Sequence, residues 1–219
     1  LSIEDLNYRI PLLKNLISSY SDSEFKFIAS VWSPPEWLKS NKALKGGGRI
    51  RGVPGNSWFY RKYAEYCYAF LEAYHKYGLD FFGLTPVNVE QNSTALKNQN
   101  SLEMTTLHQI EFRDLDFGAL ILERNPSWKI KIFNTFMNSS LQHYGNDFKF
   151  YARDYETTKP SKRIERMKIG NWYSAEEYGK RILKSIKNGA NAYIDLSLAL
   201  NLYGKPNYCG FMGVAPIIV

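Results

Sequence analysis

Phe25–Asn41, FKFIASVWSPPEWLKSN, and Leu79–Gln91, LDFFGLTPVNVEQ, are the two stretches that decide the fold. Each starts as an aromatic and β-branched run and breaks into a Pro-containing turn, the pattern of a buried strand that ends in a loop. Between them, Tyr63, Tyr66, Cys67, Phe70, Leu71 and Tyr74 recur at helical spacing from Trp58 to Tyr77, and Gly78 supplies the stop. Strand, helix, strand predicts a parallel pair joined by a helical crossover. Further strands are predicted at Trp128–Phe133, Phe148–Ala152 and Ala190–Leu198. A helix over Ser174–Lys187 opens with a capping box of Ser174 and Glu177 and closes at Asn188-Gly189. Weaker helical patterns cover Leu6–Ser19 and Thr105–Leu122. The repetition means a parallel sheet, hence a doubly wound or barrel α/β fold.

Composition bounds the rest. With 219 residues, 44% hydrophobic and 16% aromatic, the chain can bury one sizeable core, so one domain is expected. The formal charge of +7 favours an anionic partner such as an acidic membrane surface, or is a set of solvated lysines. No compact run of five or more Lys/Arg occurs, which argues against nucleic acid. No stretch of eighteen apolar residues is present to span a bilayer. Glu4 and Asp5 sit where a signal peptide would need a basic flank and apolar core, so no signal peptide is visible, although a leader could lie upstream. Asn92-Ser-Thr and Asn138-Ser-Ser are glycosylation sequons that suit a secretory route. Cys67 and Cys209 form no metal motif and are read as free thiols, Cys67 on the apolar face of its helix. His75, His108 and His143 show no metal-ligand spacing and no acyl-transfer triad is in order, so no cofactor is implied. Lys45-Gly-Gly-Gly-Arg49 lacks the Gly-Lys-Ser/Thr ending of a phosphate loop and is read as a flexible lid segment.

WSPPEWLKSNKALKGGGRIRGVPG, from Trp32, and DLSLALNLYGKPNYCG with the ending APIIV carry a specific resemblance. The chain resembles the glucosylceramidases of glycoside hydrolase family 30, from just before the third strand of their barrel to just beyond the eighth. The resemblance implies an incomplete (β/α)₈ TIM barrel, with strands 3–5 and 7–8 present, residues 1–219 forming one partial barrel domain without the family's accompanying β-domain. Between Phe133 and Phe148 only NTFMNSSLQHYGND remains, too short for a sixth strand with its helices.

In such enzymes the chemistry sits at the carboxyl ends of the strands and uses two carboxyl groups about 5–5.5 Å apart, one as acid/base and one as nucleophile. The resemblance places Asn88 at the Asn of the family's Asn-Glu-Pro, which puts Val89 at the acid/base position and Glu90 one residue late. On an extended strand that slip turns Glu90 to the opposite face unless a local bulge rescues it; otherwise Glu90 is a solvated loop carboxylate. FKFYARDYE, Phe148–Glu156, places Asp154 at the nucleophile position, with Glu156 as a fallback, or leaves Asp154 a polar strand-end residue beside Arg153. Asp is one methylene shorter than Glu, and a misplacement near 1 Å costs roughly a hundredfold in rate. Trp32 matches an aromatic flanking the glucose site, and Asn88 the amide that bonds the sugar 2-hydroxyl. Trp32 and Trp37 are otherwise read as core and loop packing. The family's Asp-Trp-Asn on the last strand appears here as Asp195-Leu196-Ser197.

Two functions of different class follow. One is a retaining hydrolase of glucosylceramide or a related β-glucoside, with Asp154 attacking and Glu90 protonating. The resemblance then implies sphingolipid turnover, a lysosomal or secreted setting, and a saposin-like activator or anionic membrane surface as partner. The other is a catalytically silent paralogue or fragment that at most binds a glycolipid or membrane.

Overall fold

The computed structural model describes residues 1–20, 22, 24–87, 100–133, 150–152, 172–187, 192–194, 199–201 and 217–218. They belong to two compact units, Leu1–Phe136 and Met137–Val219.

In the first unit a π-helical turn, Asp5–Arg9, runs into α1 (Ile10–Ser19), with Pro11 in its first turn, where a missing N–H is harmless. The turn is anchored through Asp5, whose buried carboxylate accepts from the Ser2 amide (2.9 Å), Arg9 Nη1 (2.7 Å) and the Tyr74 hydroxyl (2.8 Å). Burial opposes ionisation, but these hydrogen bonds outweigh it and hold the Asp5 carboxyl well below the usual carboxylate range.

β1 (Phe27–Ser30), β2 (Phe81–Thr85) and β3 (Lys131–Ile132) form one parallel sheet in that order. Ala29 lies opposite Leu84 and Leu84 opposite Ile132, so the centre of the sheet is apolar. α2 (Trp58–His75) makes the first crossover, as its spacing predicts. The Ser57 side chain caps it by accepting from the Phe59 amide at 3.2 Å. At the other end Gly78 takes φ +77°, Leu79 N–H reaches back to Tyr74 O and Gly78 N–H to His75 O. That pair of bonds is a Schellman stop, and Leu79 packs in one cluster with Tyr74 as such stops favour.

α2 buries Tyr60, Tyr63, Ala64, Cys67, Tyr68, Leu71 and Tyr74. All but Tyr74, which joins Ile10 and Leu79 in a smaller cluster, pack with Leu38, Leu84, Val87, Leu102, Met104, Phe112, Phe117 and Leu120 into the main core. Each fully buried Leu or Phe contributes about 1.5–3 kcal/mol over leaving it exposed. Cys67 is a buried free thiol as read, and burial pushes its pKa up to about 12, which makes it inert at neutral pH.

The second crossover departs from the single helix expected over Thr105–Leu122. It is α3 (Thr106–Glu111), a π-helical turn Phe112–Phe117, and α4 (Gly118–Arg124). The wider π turn buries Phe112, Asp116 and Phe117 together, and the Asp116 carboxylate there accepts from the Gly55 amide at 2.8 Å. Burial raises the Asp116 pKa above the ordinary carboxylate value.

In the second unit β4 (Phe150–Ala152) pairs parallel with β5 (Ala192–Ile194), and α5 (Trp172–Lys187) lies between them in sequence. β6 (Ala199–Leu200) pairs parallel with β7 (Ile217–Ile218), two elements too short to show any periodicity in the sequence. α5 starts at Trp172, so Ser174 is helical and cannot be the N-cap of the predicted capping box. The reason is visible in the first turn, where Trp172 Nε1–H donates to Glu176 Oε1 at 2.7 Å and extends the helix past the serine. Among the described residues no helix is long and apolar enough to cross a membrane.

Candidate active site at the strand ends

Because β1 and β2 are parallel, Val31-Trp32 and Pro86-Val87 emerge at the same end of the sheet. The ladder runs one step past the strands: Val31 N–H donates to Thr85 O at 3.1 Å and Phe133 N–H to Leu84 O at 2.9 Å. The last side chains are joined as well, Thr85 Oγ1 donating to Ser30 Oγ at 2.6 Å. Tyr63, fully buried on α2, donates its hydroxyl to Pro86 O and fixes the turn that leaves β2. Burial raises the phenol's pKa well above its ordinary value and keeps it a donor.

Trp32 is half-buried at this carboxyl end, the position where the family resemblance expects an aromatic beside the sugar. Asn88, Glu90 and Asp154 lie outside the described residues, as do Val89, Glu156 and Asp195–Ser197.

The loop after Trp32 contains a residue that sequence reasoning missed. Pro34 and Pro35 lead into a 3₁₀ turn, Glu36–Leu38, and bury Leu38 and then Lys39. Lys39 Nζ donates to Ser33 Oγ (3.1 Å), Leu44 O (3.0 Å) and Ser101 O (2.7 Å). Burial pulls its pKa down to about 8, against the attraction of Glu103 and Glu36. In sequence a lone lysine between Leu38 and Ser40 reads as a solvated surface cation, and no local signal distinguishes it.

The glycine loop is not the free lid expected from its composition. Asn41 Nδ2 donates to Lys45 O (3.0 Å) and Gly47 O (3.1 Å), Gly47 N–H donates to Ser101 Oγ (2.8 Å) and Glu103 N–H to Gly48 O (2.8 Å). Gly46, Gly47 and Gly48 all take positive φ, which only glycine adopts without strain, so the triplet gives the curvature that brings these groups together.

Trp37 packs in the loop, as one of the two readings had it. It is 50% exposed and tilts against Trp58 at 5.9 Å between ring centroids, while the Arg51 guanidinium donates to Trp37 O and lies 3.9 Å over the Phe59 ring. His75 pairs with Asp80 at 2.5 Å, and His108 Nδ1 lies 3.4 Å from the Tyr60 hydroxyl. Among the described residues no group of three or more His, Cys, Asp or Glu could hold a metal ion.

A parallel α/β sheet that carries aromatic and polar residues into loops at the carboxyl ends of its strands fits a barrel or a doubly wound α/β domain. Residues 1–141 match the glycosyl hydrolase family 30 TIM-barrel domain, and the chain belongs to that family. The lysosomal acid glucosylceramidase of Mus musculus is 26% identical to it over 255 aligned residues, covering 99% of this chain and 49% of the mouse protein. SrfJ from Salmonella typhimurium superposes with a TM-score of 0.73 at 20% identity, covering 100% of this chain and 54% of that one. The endo-β1,6-glucanase BT3312 does so at 0.66 and 18% identity, covering 100% and 56%. At those identities the superpositions establish the fold alone. The chain spans about half the length of the curated relatives it matches.

Proposed function

We propose that this chain is a glucosylceramidase-type retaining glycoside hydrolase domain that takes glucosylceramide or a related β-glucoside at the carboxyl ends of its strands. The observation that carries the reading is Trp32, half-buried at the shared end of β1 and β2 in a family 30 chain. A flat indole suits the apolar face of a pyranose. In this reading Asn88 bonds the sugar 2-hydroxyl, Asp154 attacks the anomeric carbon as the leaving oxygen takes a proton from Glu90, and water then releases the sugar with Glu90 acting as base. Residues 1–219 form one partial barrel, β1 to β3 standing for the family's third to fifth strands and β4 and β5 for its seventh and eighth. The mouse relative's name supports glucosylceramide as substrate and a lysosomal setting; a secreted setting and a saposin-like activator or an anionic membrane surface as partner are what the family resemblance implies.

Val89 at the acid/base position and Asp154 in place of Glu favour a second reading, a catalytically silent paralogue or fragment that binds the glycolipid or a membrane without turnover. Release of a fluorescent aglycone from a β-glucoside between pH 4.5 and 7 separates the two. Turnover abolished in both Asp154→Ala and Glu90→Gln establishes the shifted carboxylates as the working pair. No turnover by the folded wild-type chain leaves the silent domain.

A further inference from the structure

Three segments from two loops at the carboxyl end of the sheet, the β1–α2 and β2–α3 connections, meet on one buried ammonium. Lys39 is 0% exposed, and its three hydrogen-bond partners, Ser33 Oγ, Leu44 O and Ser101 O, are all uncharged. An ammonium has three donors and no acceptor, so the set is complete. Taking that charge out of water without a bonded counter-ion is expensive, and a leucine or methionine would fill the same space at less cost. What an apolar side chain cannot do is fix three oxygens around one point.

Those oxygens belong to the chain next to Trp32, to the loop that continues into Gly46–Gly48, and to the segment that leads into α3. The last two are laced further by Ser101 N–H to Leu44 O (3.2 Å), Gly47 N–H to Ser101 Oγ (2.8 Å) and Glu103 N–H to Gly48 O (2.8 Å). Ser33 reaches the same centre through Lys39. We propose that Lys39 is a positioning residue for the sugar site, clamping the Trp32-Ser33 turn to the Leu44–Gly48 loop and the Ser101–Glu103 segment so that the Trp32 indole is held in one orientation. The proposal rests on the glycoside reading above. Burial that pulls Lys39 down to about 8 leaves the ammonium charged, with all its donors, through the acidic and neutral range.

The test uses the whole 219-residue chain with methyl β-D-glucoside titrated by calorimetry and amide hydrogen exchange read by mass spectrometry. Lys39→Met keeps the length of the stem and removes every donor; Ser33→Ala removes the single arm to the Trp32 turn. The expected result is glucoside affinity lowered more than about tenfold in Lys39→Met and several-fold in Ser33→Ala. Exchange should quicken at Gly47, Ser101 and Glu103 in Lys39→Met alone, and the thermal midpoint of Ser33→Ala should fall by about a few degrees, since one donor of the buried ammonium is left unpaired. Wild-type affinity in either folded variant overturns the proposal, and Ser33→Ala decides it if Lys39→Met fails to fold. If the wild-type chain binds no glucoside, the glycoside reading fails by itself. The clamp is then judged on exchange: quickening confined to those three amides upholds it, and unchanged or uniformly faster exchange overturns it.

Discussion

The body of the first unit and the loops at its strand ends are held together by different physics. Under the sheet, α2 presents Tyr63, Cys67, Leu71 and Tyr74 to Leu79, Leu84 and Phe112, and the stabilising quantity is apolar area removed from water. At the strand ends, burial is equally complete for Leu38, Lys39 and Ser101, but the contacts that set the geometry are directed hydrogen bonds to one ammonium and one hydroxyl. Area tolerates substitution by anything of the right size and polarity. Directed bonds do not, because a lost donor leaves several oxygens buried and unsatisfied at once. A scaffold needs the first kind of stability and a binding site needs the second, since orientation within a fraction of an ångström decides what a site can do.

That contrast can be broken most sharply in the core. Leu84→Ala, at a side chain only 1% exposed near the end of β2, should cost about 2–5 kcal/mol, read as a shift of the urea midpoint. A loss under about 1 kcal/mol would mean that this body is looser than its burial implies. Tyr63→Phe probes the boundary between the two regions, keeping the ring in the core while removing the donor to Pro86 O. It should cost about 1–3 kcal/mol, because that carbonyl is left buried without its donor.

The smallest effect is one of pH and belongs to the loops. Lys39 titrates near 8 when folded and at its ordinary value of 10.5 when unfolded. Between those values the unfolded chain binds the proton that the folded chain has released, so stability contributed by this group rises with pH. The charges acting on it are Glu103 and Glu36. Cys67 acts oppositely from its ordinary value of 9.0 upward, because the folded state keeps a proton that the unfolded state loses. The window for Lys39 is therefore pH 8 to 9, in which the wild-type urea midpoint should rise more than that of Lys39→Met. Parallel profiles would place the loop charge in a solvated environment and remove the contrast drawn here.

Much of the body was legible in the sequence because its elements are periodic. The spacing of Tyr63, Cys67, Leu71 and Tyr74 with Gly78 behind them specifies a helix and its end locally, and the runs before Trp32 and Pro86 specify strands in the same way. The π-helical turn at Phe112–Phe117 was not legible, since its one-residue offset is chosen by what Phe112, Asp116 and Phe117 can bury together. Nor was the start of α5, where an indole-to-carboxylate bond carried the helix past its expected cap. For the site, Trp32 lies at the predicted end of the sheet, whereas Lys39 and Asn41, though inside the stretch that carries the resemblance, and Ser101 have no spacing that marks them as buried or bonded.

By itself the sequence determined the alternation of strand and helix, the parallel sheet that alternation requires, and the family, because periodicity and local motifs act over a few neighbouring residues. Only the tertiary structure decided that Lys39 is a hub, that the glycine loop is fastened and that Trp37 packs against Trp58. Lys39 and Ser101 are 62 positions apart, and a bond between them exists only once the sheet and α2 have brought their loops to the same place.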